Sequence, residues 1–152
     1  LEYSHEQGVV HRDVKPSNVM QTQSGRVLLM DFGLAKPSLD PQFNPSGLFG
    51  TPRYMSPEQL RGEAVTPKAD WFAFGCVAYE LALGMPLLRG RDLLDLRREH
   101  ARMSVPEIVK ECAAVNPEVA ALLEDCLQPN PDERRLDLAA VSAWAEEISE
   151  DA

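Results

Sequence analysis

HRDVKPSNVMQTQSGRVLLMDFG, from His11 to Gly33, sets two polar clusters at the outer ends of two short apolar runs. Pro16 forbids a continuous helix, so His11–Asn18 reads as a loop. VMQ and RVLLMD flank TQSG, which reads as a hairpin with Gly25 in its turn. A hairpin returns the chain to where it began, so Asn18 at its entry and Asp31 at its exit come together. Their amide and carboxylate oxygens suit a hard cation such as Mg²⁺, which usually shares its shell with phosphate. Asp13 lies five residues before Asn18, on the loop, where it can accept a proton from a hydroxyl. Lys15 can stand as a point charge beside a phosphoryl group. Taken singly, Asp13, Lys15 and Asn18 would be turn residues and Asp31 a strand-end acid; their joint spacing argues otherwise.

Outward from this stretch the elements are simple. LEYSHEQG reads as the last turns of a helix stopped by Gly8. The Pro/Ser/Gly-rich segment from Phe32 to Pro57 has little periodicity and reads as a long irregular loop, of the kind that is usually functional or disordered. Thr66-Pro67 offers an N-cap and a proline at the first helical position. KADWFAFGCVAYELALG is apolar nearly all round, which marks a buried central helix closed by Gly84. RDLLDLRREHAR reads as amphipathic and exposed, and NPEVAALLEDCL starts on an Asn cap with Pro117 behind it. LDLAAVSAWAEEISE reads as a last amphipathic helix. Trp71 and Trp144 are expected in the core, and His5 and His100 on helix surfaces.

With 152 residues, 44% of them hydrophobic and 26% charged, the chain can form one globular domain. No run approaches the ~18 apolar residues of a membrane span. Cys76, Cys112 and Cys126 are far apart and lack C-x-x-C spacing, as expected for buried reduced thiols in a cytoplasmic protein. The net charge of −9 arises wholly after Lys68, where eight basic residues face seventeen acidic ones. That acidity argues against a nucleic-acid binder. The chain opens on Leu1 rather than methionine and is expected to be part of something longer.

The loop H-R-D-x-x-x-x-N followed by D-F-G resembles the catalytic machinery of eukaryotic-type protein kinases. Further pieces follow in order. GTPRYMSPE, Gly50 to Glu58, is similar to the end of the activation segment, with Ser56 where alanine is usual. DWFAFG, from Asp70, resembles the start of a helix whose Asp ties back to the catalytic loop. NPDERR resembles a late segment whose arginine, Arg134, pairs with Glu58. The resemblance implies a mainly α (α+β) fold: the C-terminal lobe of a protein kinase, a helical bundle with a short β-hairpin at the active site, over residues 1–152.

What the resemblance implies for the site is specific. Asp13 would position and deprotonate a substrate hydroxyl, and Lys15 would serve the transferred phosphoryl group. Asn18 and Asp31 would hold Mg²⁺ on the phosphates of ATP. Phe32 would pack in the core ahead of Gly33, with His11 against it. Arg12 would answer a phosphate on the long loop, where Ser46 and Ser38 are candidate acceptors. Lys15, two residues after Asp13, and Thr51 accompany serine/threonine specificity, and the phrasing is most similar to bacterial kinases of this type. The partners are then a nucleotide and a protein substrate, with no nucleic acid and no membrane segment in these residues. No G-x-G-x-x-G loop and no V-A-I-K-like lysine precede His11, so the N-terminal lobe is expected upstream. The expected activity is transfer of the ATP γ-phosphoryl group to protein Ser/Thr hydroxyls. The alternative is an inactive truncated kinase or a pseudokinase-like interaction module.

Overall fold

The computed structural model of the chain describes residues 1–32, 36–37, 52–137 and 141. Helix α1, Glu2–Glu6, ends where Gly8 takes φ 72° and its N–H bonds back to the His5 carbonyl. That left-handed turn is easy only for glycine. Strand β1, Val9–Val10, follows, then the polar loop and a single 3₁₀ turn at Pro16–Asn18. Strands β2, Val19–Gln21, and β3, Val27–Leu29, pair antiparallel as the expected hairpin, with Val19 opposite Leu29 and Gln21 opposite Val27. Gly25 sits in its turn at φ 82°. Strand β4, Lys36–Pro37, pairs antiparallel with β1, a ladder that no local pattern announced.

The rest is helical. Helix α2, Pro57–Arg61, and helix α3, Lys68–Leu83, come first. Helix α4, Leu93–Arg102, helix α5, Val105–Ala113, and helix α6, Pro117–Cys126, complete the bundle. Asn116 caps α6 through the Val119 N–H, and Asp92 caps α4 through the Asp95 N–H. Helix α3 begins after Pro67, one residue later than expected, and ends on Gly84 at φ 72°. Helix α5 is not among the elements expected above, although Val105, Ile108, Val109 and Cys112 follow the i, i+3, i+4, i+7 spacing of an amphipathic helix.

Helix α3 is the axis of the core. Phe72, Cys76 and Tyr79 pack with Leu122, Leu123, Cys126 and Leu127 from the α6 region. The two helices meet so closely that a Cβ on Gly75 would stand 2.8 Å from Cys126 Cβ and 2.9 Å from Leu127 Cδ2. Ala73 and Val77, on another side of α3, pack with Val14 of the polar loop, and Ala69 packs with Val10. The central helix therefore carries both the bundle core and the loop. All three cysteines are free and buried, and burial raises their thiol pKa values, Cys126 to about 12. No helix among the described residues is long and apolar enough to cross a membrane.

Some expectations need correction. His5 is not an ordinary surface residue: its Nε2 donates to Asp70 at 2.7 Å. His100 is largely buried, tilted against the Phe72 ring, and donates to the Met55 carbonyl. Trp71 is only partly buried. Most of the expected last helix, with Trp144, lies outside the described residues, but Val141 bonds back to Asp137 and packs with Leu136 on the core.

Candidate functional site

The first half of the loop, His11–Asp13, lies between two apolar anchors, Val10 and Val14, each essentially buried. Between them Arg12 takes φ 69°, a left-handed conformation that is costly for a residue with a Cβ. Three tertiary hydrogen bonds hold it there. The Asp70 carboxylate accepts the His11 and Arg12 N–H groups, both at 2.8 Å, and Gln59 Nε2 donates to the Arg12 carbonyl at 3.2 Å. Asp70 stands in the first turn of α3 and also accepts the His5 bond, so one carboxylate joins α1, the loop and the central helix. Gln59 is part of a reciprocal cap on α2. Its backbone N–H bonds to Ser56 Oγ, and its Oε1 accepts the Ser56 N–H at 3.0 Å. Ser56 thus has a structural use that alanine would lack, and it locks the side chain that steadies Arg12. The S-x-x-Q spacing of Ser56 and Gln59 was the available signal for this residue.

Asp13, Lys15 and Asn18 form one bonded cluster. Asp13 is 8% exposed, and its Oδ2 lies 2.7 Å from Lys15 Nζ. Asn18 is turned inward by the Pro16–Asn18 turn, and its Nδ2 donates to the Asp13 carbonyl at 2.8 Å and to Asp13 Oδ2 at 3.2 Å. Both of those neighbours are acceptors, so the amide nitrogen must face them. The amide oxygen is thereby left to meet a ligand.

Asp31 is brought to the same place through the backbone. The Met30 N–H bonds to the Asn18 carbonyl at 2.7 Å, so the next residue, Asp31, leaves the hairpin beside the start of β2. Its φ of 60° is tolerated by Asp better than by most residues, and its side chain is exposed. His11 joins the two halves. Its Nδ1 accepts the Asp13 N–H at 3.2 Å, which fixes the proton on Nε2, and Nε2 donates to the Met30 carbonyl at 3.0 Å.

Phe32 departs from the expectation that it packs in the core. Its ring meets His11 edge-on at 4.6 Å, yet it is 45% exposed. Gly33, Ser38, Ser46 and Thr51 lie outside the described residues.

Far from the loop in sequence, Glu58 and Arg134 meet in a bidentate pair, at 2.6 and 2.8 Å. This anchors α2, and with it Gln59, to the segment that follows α6 and, through the Lys68 carbonyl, to the start of α3. The arrangement can therefore do three things. It can hold a carboxylate beside an ammonium at a defined spot, offer an amide and a carboxylate oxygen to a cation, and keep the loop between them rigid.

Comparison with known proteins shows the family. Residues 1–144 match the family described as Protein kinase domain. Serine/threonine-protein kinase PknB of Mycolicibacterium smegmatis is 37% identical over 137 residues, which cover 88% of this chain and 22% of that protein. A RAC family serine/threonine-protein kinase homolog of Dictyostelium discoideum is 34% identical over 140 residues, covering 90% of this chain and 30% of that protein. The chain thus spans less than a third of the length of these relatives. Among solved structures, a chain of the CAK complex from Chaetomium thermophilum bound to ATP-gamma-S superposes with a TM-score of 0.78 at 25% identity, over 89% of this chain and 51% of that one.

Proposed function

The chain belongs to the protein kinase domain family, and on that premise we propose that it forms the catalytic and substrate-binding lobe of a serine/threonine protein kinase. The reaction is transfer of the γ-phosphoryl group of ATP to a protein hydroxyl. The observation that carries the reading is the bonded cluster of Asp13, Lys15 and Asn18, with Asp31 delivered beside it by the hairpin.

Asp13 is the residue that accepts the hydroxyl proton. Lys15, 2.7 Å away, holds its carboxylate in place and presents positive charge to the transferred group. Asn18 Oδ1 and the Asp31 carboxylate are the ligands for Mg²⁺. The donor set fits: both atoms are oxygens, one is charged, and among the described residues there is no cluster of three His, Cys, Asp or Glu side chains that would form an all-protein cage. Mg²⁺ prefers just such a sparse site, completed by water and phosphate. When bound, ATP and Mg²⁺ supply the phosphoryl group and neutralise its charge. The chain's own share is positioning, and the Asp70 clamp on His11 and Arg12 performs it.

The face of the hairpin next to this site bears Met20, Leu28 and Met30, all exposed. Its apolar character supports a second, N-terminal lobe of the full protein as its cover, bringing the phosphate-covering loop and lysine that residues 1–152 do not contain.

The test uses the full-length protein, radiolabelled ATP and a protein substrate. Transfer to Ser or Thr is expected. Asp13→Ala should lose transfer and keep nucleotide binding, and Asp31→Ala should lose both. Nucleotide binding without transfer in the unmutated protein would point instead to an interaction module. Equal loss of ATP affinity in both variants would refute the division of roles.

A further inference from the structure

Two adjoining hollows lie beside the segment that leads into α2. One, of about 540 Å³, runs between Pro52–Tyr54 and the Gly90–Leu96 stretch. The other, of about 550 Å³, continues across the shared wall of Gly90 and Arg91 toward Arg98 and Arg102. Together they are lined by five arginines, Arg53, Arg89, Arg91, Arg98 and Arg102, against three carboxylates, Asp92, Asp95 and Glu99. In a chain of net charge −9 with fifteen basic residues, one third of them gather here.

The carboxylates are already engaged. Asp92 caps the Asp95 N–H at 2.8 Å, and Glu99 accepts the Arg89 and Gly90 N–H groups, both at 2.9 Å. Asp95 pairs loosely with Arg98 at 3.4 Å. Arg53, Arg91 and Arg102, by contrast, make no hydrogen bond or ion pair among the described residues. The wall is also preset. A Cβ on Gly90 would stand 2.7 Å from the Leu96 nitrogen, so the Arg89–Arg91 segment lies flush on α4. Glu99, one turn further along α4, holds the same segment through the Arg89 and Gly90 N–H groups.

Tyr54 links the groove to the active loop. It lines the first hollow, bonds to Glu80 at 2.7 Å, and packs on the Val14–Ala73–Val77 cluster. Val14 is the neighbour of Asp13, so Tyr54 joins the groove wall to the loop that carries the carboxylate assigned as base.

We propose that this groove binds an acidic stretch of the protein substrate, so that hydroxyls flanked by Asp and Glu residues are phosphorylated in preference. The inference rests on the kinase reading for its catalytic half, but not for its binding half. The net charge of the residues after Lys68 opposes such a stretch over most of their surface; the arginines of the groove make this face complementary to it.

The experiment pairs two measurements on the full-length protein. The first is kcat/KM for a serine peptide flanked by Asp and Glu against the same peptide with Ala flanks. The second is fluorescence anisotropy of the same labelled peptides without nucleotide. We expect the acidic peptide to be favoured roughly tenfold, chiefly through KM, because a few exposed charge-assisted contacts sum to that order. Arg91→Gln with Arg102→Gln should remove most of the preference while sparing turnover of the Ala-flanked peptide. Arg91→Glu with Arg102→Glu should reverse it toward Lys-flanked peptides. Turnover of the neutral peptide with no acidic preference would overturn the proposal and leave the kinase reading standing. Acidic binding that the variants abolish, without transfer to any peptide, would keep the groove and sink the kinase reading. A phosphoserine-flanked peptide favoured well beyond the carboxylate one would overturn the assignment in favour of a phosphorylated partner.

Discussion

Arg134 places two of its five N–H donors on Glu58, a residue 76 positions earlier, and both side chains are buried, at 1% and 2% exposure. The other three donors go to the carbonyls of Gln128, Lys68 and Pro129 at 2.8, 2.9 and 3.2 Å, and the guanidinium lies over the Phe72 ring at 5.0 Å. No donor of the fork is left unmet.

Removing Arg134 therefore strands a buried carboxylate and three backbone carbonyls. Arg134→Ala is expected to cost ~3–5 kcal/mol of stability. Arg134→Lys should recover only part, because an ammonium cannot reproduce the planar fork. Denaturant melts of the two variants against the parent check this. A midpoint unchanged by Arg134→Ala would mean that the pair contributes nothing net.

Asp70 makes a different claim, on geometry rather than on stability. Asp70→Asn keeps the shape but replaces one acceptor oxygen by an NH₂ group, which must face an N–H of His11 or Arg12 or the ring of His5. The left-handed turn at Arg12 then loses a restraint and Asp13 drifts. Turnover should fall ~100-fold for a shift on the order of 1 Å, with nucleotide affinity little changed. Faster exchange of the His11 and Arg12 amides would accompany it. Full activity in Asp70→Asn would show that the loop holds itself.

The pieces of this fold that could be read from the sequence are those whose cause is local. The Gly25 hairpin, the Gly84 stop and the Asn116 cap each rest on residues within a few positions of one another. The β1–β4 ladder has two residues on each side and depends on Val9 meeting Pro37, so periodicity could not reveal it. His5 and His100 were misread for the same reason. What buries them is Asp70 and Met55, 65 and 45 positions away. At the site, motif order suggested which residues belong together. The S-x-x-Q spacing marks Gln59 as a cap, but its link to the Arg12 carbonyl exists only once α2 is docked.

Gly75 faces the end of α6 with no room for a side chain. Its missing side chain is what lets Cys126 and Leu127 seat against the central helix. Gly75→Ala raises helix propensity, which by itself would stabilise α3 by up to about 1 kcal/mol. Overlap with a buried Cβ outweighs that gain, because overpacking a filled core costs ~1–3 kcal/mol. A net loss of stability is expected by thermal or denaturant melt. A more stable Gly75→Ala would mean that the helices part at little cost.

His100 sets a pH limit on the fold. Burial is the chief reason its pKa falls from 6.5 to about 4; Arg134 and Arg61 add to the fall, while the Met55 carbonyl and Glu58 oppose it. Its Nε2–H donates to Met55 at 3.1 Å, and Nδ1 is buried without a hydrogen-bond partner among the described residues, so a second proton would find no acceptor there. The unfolded imidazole binds its proton near 6.5 and the folded one only near 4. Between those values the unfolded state holds more protons, so stability rises with pH. The contribution is complete above about 6.5, declines as the pH drops toward 4, and amounts to something on the order of 3 kcal/mol. His100→Gln can still donate to the Met55 carbonyl but does not titrate. It should be the less stable protein at pH 7 through lost packing on Phe72, and the gap to the parent should close as the pH falls to 4. Unfolding free energies measured for both proteins across that range decide the matter: parallel curves would mean that His100 takes up its proton in the folded state as readily as in the unfolded one.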